Sequence, residues 1–243
     1  MKFIIITPTY NRPTELTRAV ESVLGQTYQN FEMIIVNDSP LYNYAEFENK
    51  YKTNQKIIYI KNDENKGVNF SRNLALQKTK DTLSDYVIFL DDDDWLYSDA
   101  LEKINSILEK ENYEWLVTNR TAGNINLTKV NIIKDKYNYF CDMLMLRNIY
   151  GDATHAIKSE IATQFRFCSH VKNGEELYYF SQIPSLFVYK NINTTDSNGY
   201  TTDGLTDVLK NKYKENTKNL WKEKLNSKLF FYLILRTLKS LTK

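Results

Sequence analysis

From Phe3 to Ile6 apolar residues follow one another without alternation, three of them Ile, and the run stops at Thr7-Pro8-Thr9. An uninterrupted β-branched run is the pattern of a strand buried on both faces. After Asn11 and Pro13, the residues Leu16, Ala19, Val20, Val23 and Leu24 recur at helical spacing and Gly25 follows, which predicts a capped amphipathic helix with a C-terminal stop. Phe31 to Val36 predicts a second buried strand ending in Asn37-Asp38-Ser39, and Lys56 to Ile60 a third that enters the polar loop Lys61 to Gly67. Phe70 to Gln77 reads as helix and Val87 to Leu90 as strand. Ala100, Leu101, Ile104, Ile107 and Leu108 read as a helix with Ser98 at its N-cap. Strand–helix alternation of this kind predicts an α/β, Rossmann-like, mainly parallel sheet with helices on both faces.

The second half is less regular. Trp115 to Thr118 predicts a strand, Tyr137 to Leu146 a helix or loop, and Ile183 to Tyr189 a late strand, while Asn191 to Gly204, rich in Asn, Thr, Asp and Gly, reads as a mobile loop. Charge then separates a tail from the body. The chain of 243 residues is nearly balanced, with 32 basic and 30 acidic residues, yet Val208 to Lys243 holds ten Lys and Arg against two Glu. This predicts one domain over residues 1–207 and a basic, amphipathic helical extension over 208–243. Cys141 and Cys168 form neither a CxxC nor a zinc pattern, so no disulfide is expected and a reducing cytoplasm suits them. The first apolar run is too short for a signal peptide, which agrees with a cytoplasmic location.

The strongest chemical signal is Val87 to Trp95, VIFLDDDDW, a strand pattern that stops in four adjacent carboxylates. Such charges repel, so a compact fold that gathers them compensates with a cation or a ligand; the plainer alternative is a solvated acidic turn. Alternation along an extended segment puts Asp91 and Asp93 on one face and Asp92 and Asp94 on the other, one pair free to hold a ligand while the other braces the turn. Thr9 and Tyr10, Asp38, and Asp91 to Asp94 all follow predicted strands. They therefore converge on the carboxyl edge of the sheet, where open α/β sheets bind ligands. No glycine follows the first strand, which argues against a nucleotidyltransferase phosphate loop or a dinucleotide fingerprint.

PTYNR at Pro8–Arg12, VNDSP at Val36–Pro40, NKGVNFSRN at Asn65–Asn73, FLDDDDW at Phe89–Trp95 and NGEELYYF at Asn173–Phe180 together resemble the ordered motifs of family 2 glycosyltransferases with the GT-A fold, over roughly residues 1–190. The resemblance implies a nucleotide-binding half over 1–97 and an acceptor-binding half over 98–207. It implies Thr9 and Tyr10 lining a base pocket, Asp38 accepting from a uracil imide, and Arg12 and Arg72 near the base or diphosphate. Asp91 would meet the ribose with Asp92 beside it in the donor site, and Asp93, third in a DXD-like motif, would ligate Mn²⁺ or Mg²⁺. It implies Glu176 as the acceptor base, with Glu175 as the alternative, where the family usually has Glu-Asp. Both could instead simply begin a surface helix.

The expected activity is inverting, metal-dependent transfer of a hexose or N-acetylhexosamine from a UDP-sugar to a saccharide or glycolipid acceptor in lipooligosaccharide, lipopolysaccharide or capsule synthesis. The alternatives are a binding module of the same fold without turnover and a nucleotidyltransferase. His155 and Asp152 are read either as acceptor-pocket or as packing residues, His170 as a loop residue, and Trp95 as packing under the acidic loop. The tail, where Leu220, Trp221, Leu225, Leu229 and Phe230 interleave with lysines, suits either peripheral contact with the inner face of the cell membrane or docking on protein. Its apolar run is far below the roughly 20 residues a crossing needs. With no recognition motif beside the charge, nucleic acid is not an expected partner.

Overall fold

A computed structural model describes residues 1–171, 176–198, 217–223, 230 and 232–234. In chain order the elements are β1 (Phe3–Thr9), α1 (Pro13–Leu24), β2 (Phe31–Asn37), α2 (Ala45–Tyr51), β3 (Ile57–Lys61), α3 (Val68–Thr79), β4 (Tyr86–Phe89), β5 (Asp94–Leu96), α4 (Ala100–Glu111) and β6 (Trp115–Ala122). There follow β7 (Ile125–Asn126), β8 (Lys129–Val130), a π-helical segment (Tyr139–Met145), β9 (Ile149–Tyr150), β10 (Ala153–Lys158), α5 (Ser159–Ala162), α6 (Glu176–Gln182) and β11 (Val188–Ser197). The main sheet runs β3-β2-β1-β4-β10-β6-β11-β5, with β7 beside β6, and β8 pairs with β9 in a small second sheet.

The first four strands are parallel, as their unbroken apolar runs predict. Beyond β4 the sheet is mixed. β10 lies antiparallel between β4 and β6, β11 is parallel to β6, and β5 is antiparallel to β11. β1 feeds both layers of the core. Phe3 and Ile5 pack with the apolar stripes of α1 and α4, whereas Ile4 and Ile6 pack with Ala75 and Leu76 of α3 and the aromatics of α6. Each of these Ile side chains contributes about 1.5–3 kcal/mol through burial, which fixes the strand that aims Thr9 and Tyr10 at the sheet edge.

Three local expectations are corrected. The residue at the cap of α4 is Asp99, not Ser98, and neither α1 nor α4 has a side-chain cap; α1 starts instead with Pro13 behind Arg12. α3 begins at Val68, one residue after Gly67, whose φ of 90° turns the chain into the helix. Asn191 to Ser197 is strand and not loop. Its polar residues are paired across the sheet, Thr194 with Thr118 at 2.7 Å, Asn191 with Asn119 at 2.8 Å and Asp196 with Thr121 at 2.9 Å. Residues 199–204 of that expected loop lie outside the described residues, as does most of the tail. Of the tail's described residues, Leu220 and Leu233 are buried against Cys168, Val171 and Tyr178, so these parts dock on the body.

Gly151 shows how closely the β8–β9 region is fitted. Its φ is +86° and a Cβ there would collide with the Leu127 carbonyl oxygen. Gly151→Ala is expected to lose at least about 2 kcal/mol, from left-handed strain and overpacking together, as read by urea unfolding.

Candidate functional site

At the crevice along the carboxyl edge of the parallel strands, hydrogen bonds join Thr9 and Arg12 to Asp92, Arg12 also to Asp93, and Arg72 to Asp91 and Glu176. After β4 the chain makes a tight turn, Asp94 N donating to Asp91 O at 3.2 Å, and returns as β5. Burial alternates as the sequence implies. Asp92 and Asp94 are inside, while the side chains of Asp91 and Asp93 are 36 % and 40 % exposed. The repulsion among the four is met by arginines. Arg12 donates to Asp93 at 2.7 Å and more weakly to Asp92 at 3.4 Å, Arg72 to Asp91 at 2.7 Å, and Arg120 to Asp94 at 2.7 Å. Arg18 donates to the Asp93 carbonyl at 2.8 Å and lies over the Trp95 ring at 4.1 Å, so it ties Trp95 to the acidic turn.

Environment divides the carboxylates further. Burial pushes Asp92 up to about 7 despite a hydrogen bond from Thr9, and it also raises Asp94, outweighing Arg120. Burial works on Asp91 too, but Arg72, with help from Arg120 and Arg12, holds its carboxyl below the usual range. The inward pair is thus the harder to ionise, whereas Arg72 favours the charged form of Asp91.

Thr9 is 2 % exposed, and its hydroxyl donates to Asp92 at 2.8 Å and is 3.0 Å from the Tyr44 hydroxyl. It braces the acidic turn and adds almost no surface to a base pocket, in contrast to the sequence expectation; Tyr10, 49 % exposed, is the residue that faces outward. Asp38 is buried and accepts from Asn62 Nδ2 and Lys66 N, both at 2.8 Å, and from Gly67 N at 2.6 Å. It cinches the 62–67 loop, which leaves at most about one of a carboxylate's four acceptor positions for a base.

Arg72 has the most consequential position. Its buried guanidinium donates to Asp91 with one arm and to Glu176 Oε1 with the other, both at 2.7 Å. It therefore joins the acidic turn to the first residue of α6. Glu175 lies outside the described residues. His155 is a packing residue: burial pushes its imidazole down to about 3, it accepts from the Trp115 indole at 3.0 Å, and it stacks 4.3 Å from Phe180. His170 stands at the surface and meets Glu223 at 2.9 Å. Asp152 is half-buried close enough to Asp94 and Arg120 for charge to be felt.

Tyr44, Arg18 and Arg120 escaped the sequence reading. The signal was indirect, since four adjacent carboxylates in a compact fold oblige nearby cations, yet nothing in the spacing says which. Among the described residues no three His, Cys, Asp or Glu side chains cluster as a closed metal site. Asp91 and Asp93, half-exposed hard oxygen donors on one face, fit an open site of the kind Mg²⁺ and Mn²⁺ use, in which substrate phosphate and water complete the shell. The buried Nε donors of Arg18, Arg72 and Arg120 have no acceptor, which suits an anionic ligand beside that face.

Residues 4–170 match the family model described as glycosyl transferase family 2. An uncharacterized glycosyltransferase of Haemophilus influenzae is 30 % identical over 194 residues, covering 76 % of this chain and 64 % of the relative. The putative teichuronic acid biosynthesis glycosyltransferase TuaG of Bacillus subtilis is 37 % identical over 41 % of this chain and 38 % of its own length. The UDP-Glc:alpha-D-GlcNAc-diphosphoundecaprenol beta-1,3-glucosyltransferase WfaP of Escherichia coli is 37 % identical over 44 % of this chain and 41 % of its own. The chain spans less than two thirds of the length of each. The crystal structure of S. aureus TarS 1–349 with UDP-GlcNAc superposes with a TM-score of 0.70 at 15 % identity, covering 93 % of this chain and 68 % of that one. GalNAc-T7 with UDP, GalNAc and Mn²⁺ gives 0.57 at 13 % identity, over 81 % and 43 %. At such identities the likeness is one of fold.

Proposed function

The chain belongs to glycosyl transferase family 2 and has the GT-A fold, and from that premise we propose that it moves a hexose or N-acetylhexosamine from a UDP-sugar to a saccharide hydroxyl of a bacterial surface glycan, with inversion at the anomeric carbon. The observation that carries this reading is the pair Asp91 and Asp93, turned outward on one face of the crevice and ringed by arginines. The UDP and UDP-GlcNAc complexes of TarS support the donor class, and the names of TuaG and WfaP support the surface-glycan role, WfaP with a lipid-diphosphate acceptor.

Asp93 would hold Mn²⁺ or Mg²⁺, which when bound supplies Lewis-acid charge for a departing diphosphate, with Asp91 beside it toward the ribose. The remaining work falls to the chain's own groups. Asp38 holds the 62–67 loop, Tyr10 faces outward for the base, and Arg12 and Arg18 keep the acidic turn in place. Glu176 takes the proton from the acceptor hydroxyl as its oxygen bonds to the anomeric carbon and the bond from that carbon to UDP breaks. One displacement inverts the configuration. Arg72 fixes the separation of donor-side Asp91 from acceptor-side Glu176, a distance on which the alignment of attack depends. The domain division at residue 207 and a peripheral membrane position belong to the same reading; no helix among the described residues is long and apolar enough to cross a membrane.

Calorimetry of UDP binding with and without Mn²⁺ tests it. Mn²⁺ is expected to strengthen binding to the wild type, and Asp93→Asn to remove at least about tenfold of that affinity. Absence of UDP binding in both conditions would sink the UDP-sugar reading.

A further inference from the structure

Away from the acidic crevice, a groove of about 280 Å³ is walled by Tyr139, Met143, Leu144, Arg147, Tyr150 and Tyr232. Its cation is Arg147, held at a φ of 54° with its guanidinium 4.5 Å from the centre of the Tyr150 ring. Among the described residues no carboxylate pairs with it. A guanidinium stacked on an aromatic face keeps its donor edge available for an anion, phosphate above all.

The chain that leads into Arg147 makes an apolar lip. Met145 and Leu146, 37 % and 66 % exposed, precede Arg147. The neighbouring loop is joined to theirs by Asn131 N and Ile132 N, which donate to Asn148 O at 2.7 and 3.1 Å, and it presents Ile132 and Ile133 at 51 % and 90 % exposure. Single exposed apolar residues need no explanation, but four on two bonded loops at one lip do. Lys129 and Lys136 are exposed in the same stretch, where Asp135 is the one exposed acid. Basic residues around an apolar tip match an anionic lipid surface.

One wall of the groove packs on the core beneath α6. The Tyr139 ring packs 5.2 Å from that of Phe180, which follows Glu176 by four residues on α6 and so shares its face, about 6 Å along the axis.

We propose that this groove seats a phosphate-bearing, lipid-borne saccharide acceptor: Arg147 binds the phosphate, Tyr150 and Tyr232 flank the sugar, and Ile132, Ile133 and Leu146 enter the lipid surface. The proposal rests on the glycosyl-transfer reading but is tested without a donor, so the two can fail separately. An amphiphile with lipid, phosphate and sugar in series matches the order of lip, guanidinium and rings.

The experiment is co-sedimentation of the full chain with phosphatidylcholine vesicles carrying either a polyprenyl phosphate or an equal charge of phosphatidylglycerol. The wild type is expected to bind the polyprenyl phosphate vesicles about tenfold more tightly, the size of one charged hydrogen-bonding contact. Arg147→Asn, whose new side chain tolerates the left-handed backbone, should erase that preference while UDP affinity by calorimetry stays at the wild-type value. Ile133→Asp with Leu146→Asp should weaken binding to both vesicles. Equal binding of the two vesicles by the wild type, or a preference that survives Arg147→Asn, would overturn the proposal. So would binding that resists the lip variants and is lost instead on Lys222→Glu, which would place the lipid contact on the tail.

Discussion

Glu176→Gln is expected to lower sugar transfer about 10²–10⁴-fold, the usual contribution of a general base, while UDP binds as before. The amide keeps an oxygen that can still accept from Arg72, so the link from α6 to the acidic turn survives and the loss is chemical, not structural. One further readout separates a base from a helix-starting surface residue. Glu176→Asp should restore part of the rate, since it keeps the carboxylate one methylene short. If Glu176→Gln transfers at the normal rate and Glu175→Gln does not, the base is Glu175.

Arg72→Met is expected to cost about 2–4 kcal/mol of stability by urea unfolding. Loss of one partner from a fully buried ion pair costs about 3–5 kcal/mol, and the partial exposure of Asp91 and Glu176 softens that figure. Met fills much of the same volume, so the loss reports charge more than packing. The pH dependence has a definite sign. Arg72 holds Asp91 below its ordinary range, so it stabilises the fold above that range, and the contribution disappears as pH falls through the depressed value. The gap between wild type and variant should therefore be widest near neutrality and narrow below about pH 4. A gap independent of pH would mean that Arg72 matters through packing alone.

The first half of the fold was legible because strands buried on both faces must be apolar throughout, and Ile4 to Ile6, Ile34 to Val36 and Val87 to Ile88 are. The second half hid its strands behind polar residues. In β11, Thr194, Thr195, Asp196 and Ser197 are buried with their hydrogen bonds supplied by β6 and β10, so composition alone made a strand resemble a loop. β10 likewise buries Thr154 and His155. The short α2 was missed because it buries only Phe47 and Tyr51, a single helical repeat. At the site the carboxylates announced themselves by adjacency. Their arginine partners did not, because Arg12, Arg72 and Arg120 reach them from three separate elements and no local pattern marks a guanidinium that will be buried.

β5, the three-residue strand that closes the acidic turn, pairs with β11, Asp94 opposite Ser197, about a hundred residues further along the chain. Contacts so distant in sequence form late, after the closure entropy of the intervening chain has been met. During synthesis the parallel strands β1 to β4 can assemble while the rest is still emerging, but the carboxylates reach their final spacing only when β11 arrives. A chain stopped before Ser197 is therefore expected to contain most of a sheet but an acidic turn without its closing strand, a nascent protein with an unpaired β5 at its edge and a ready customer for chaperones.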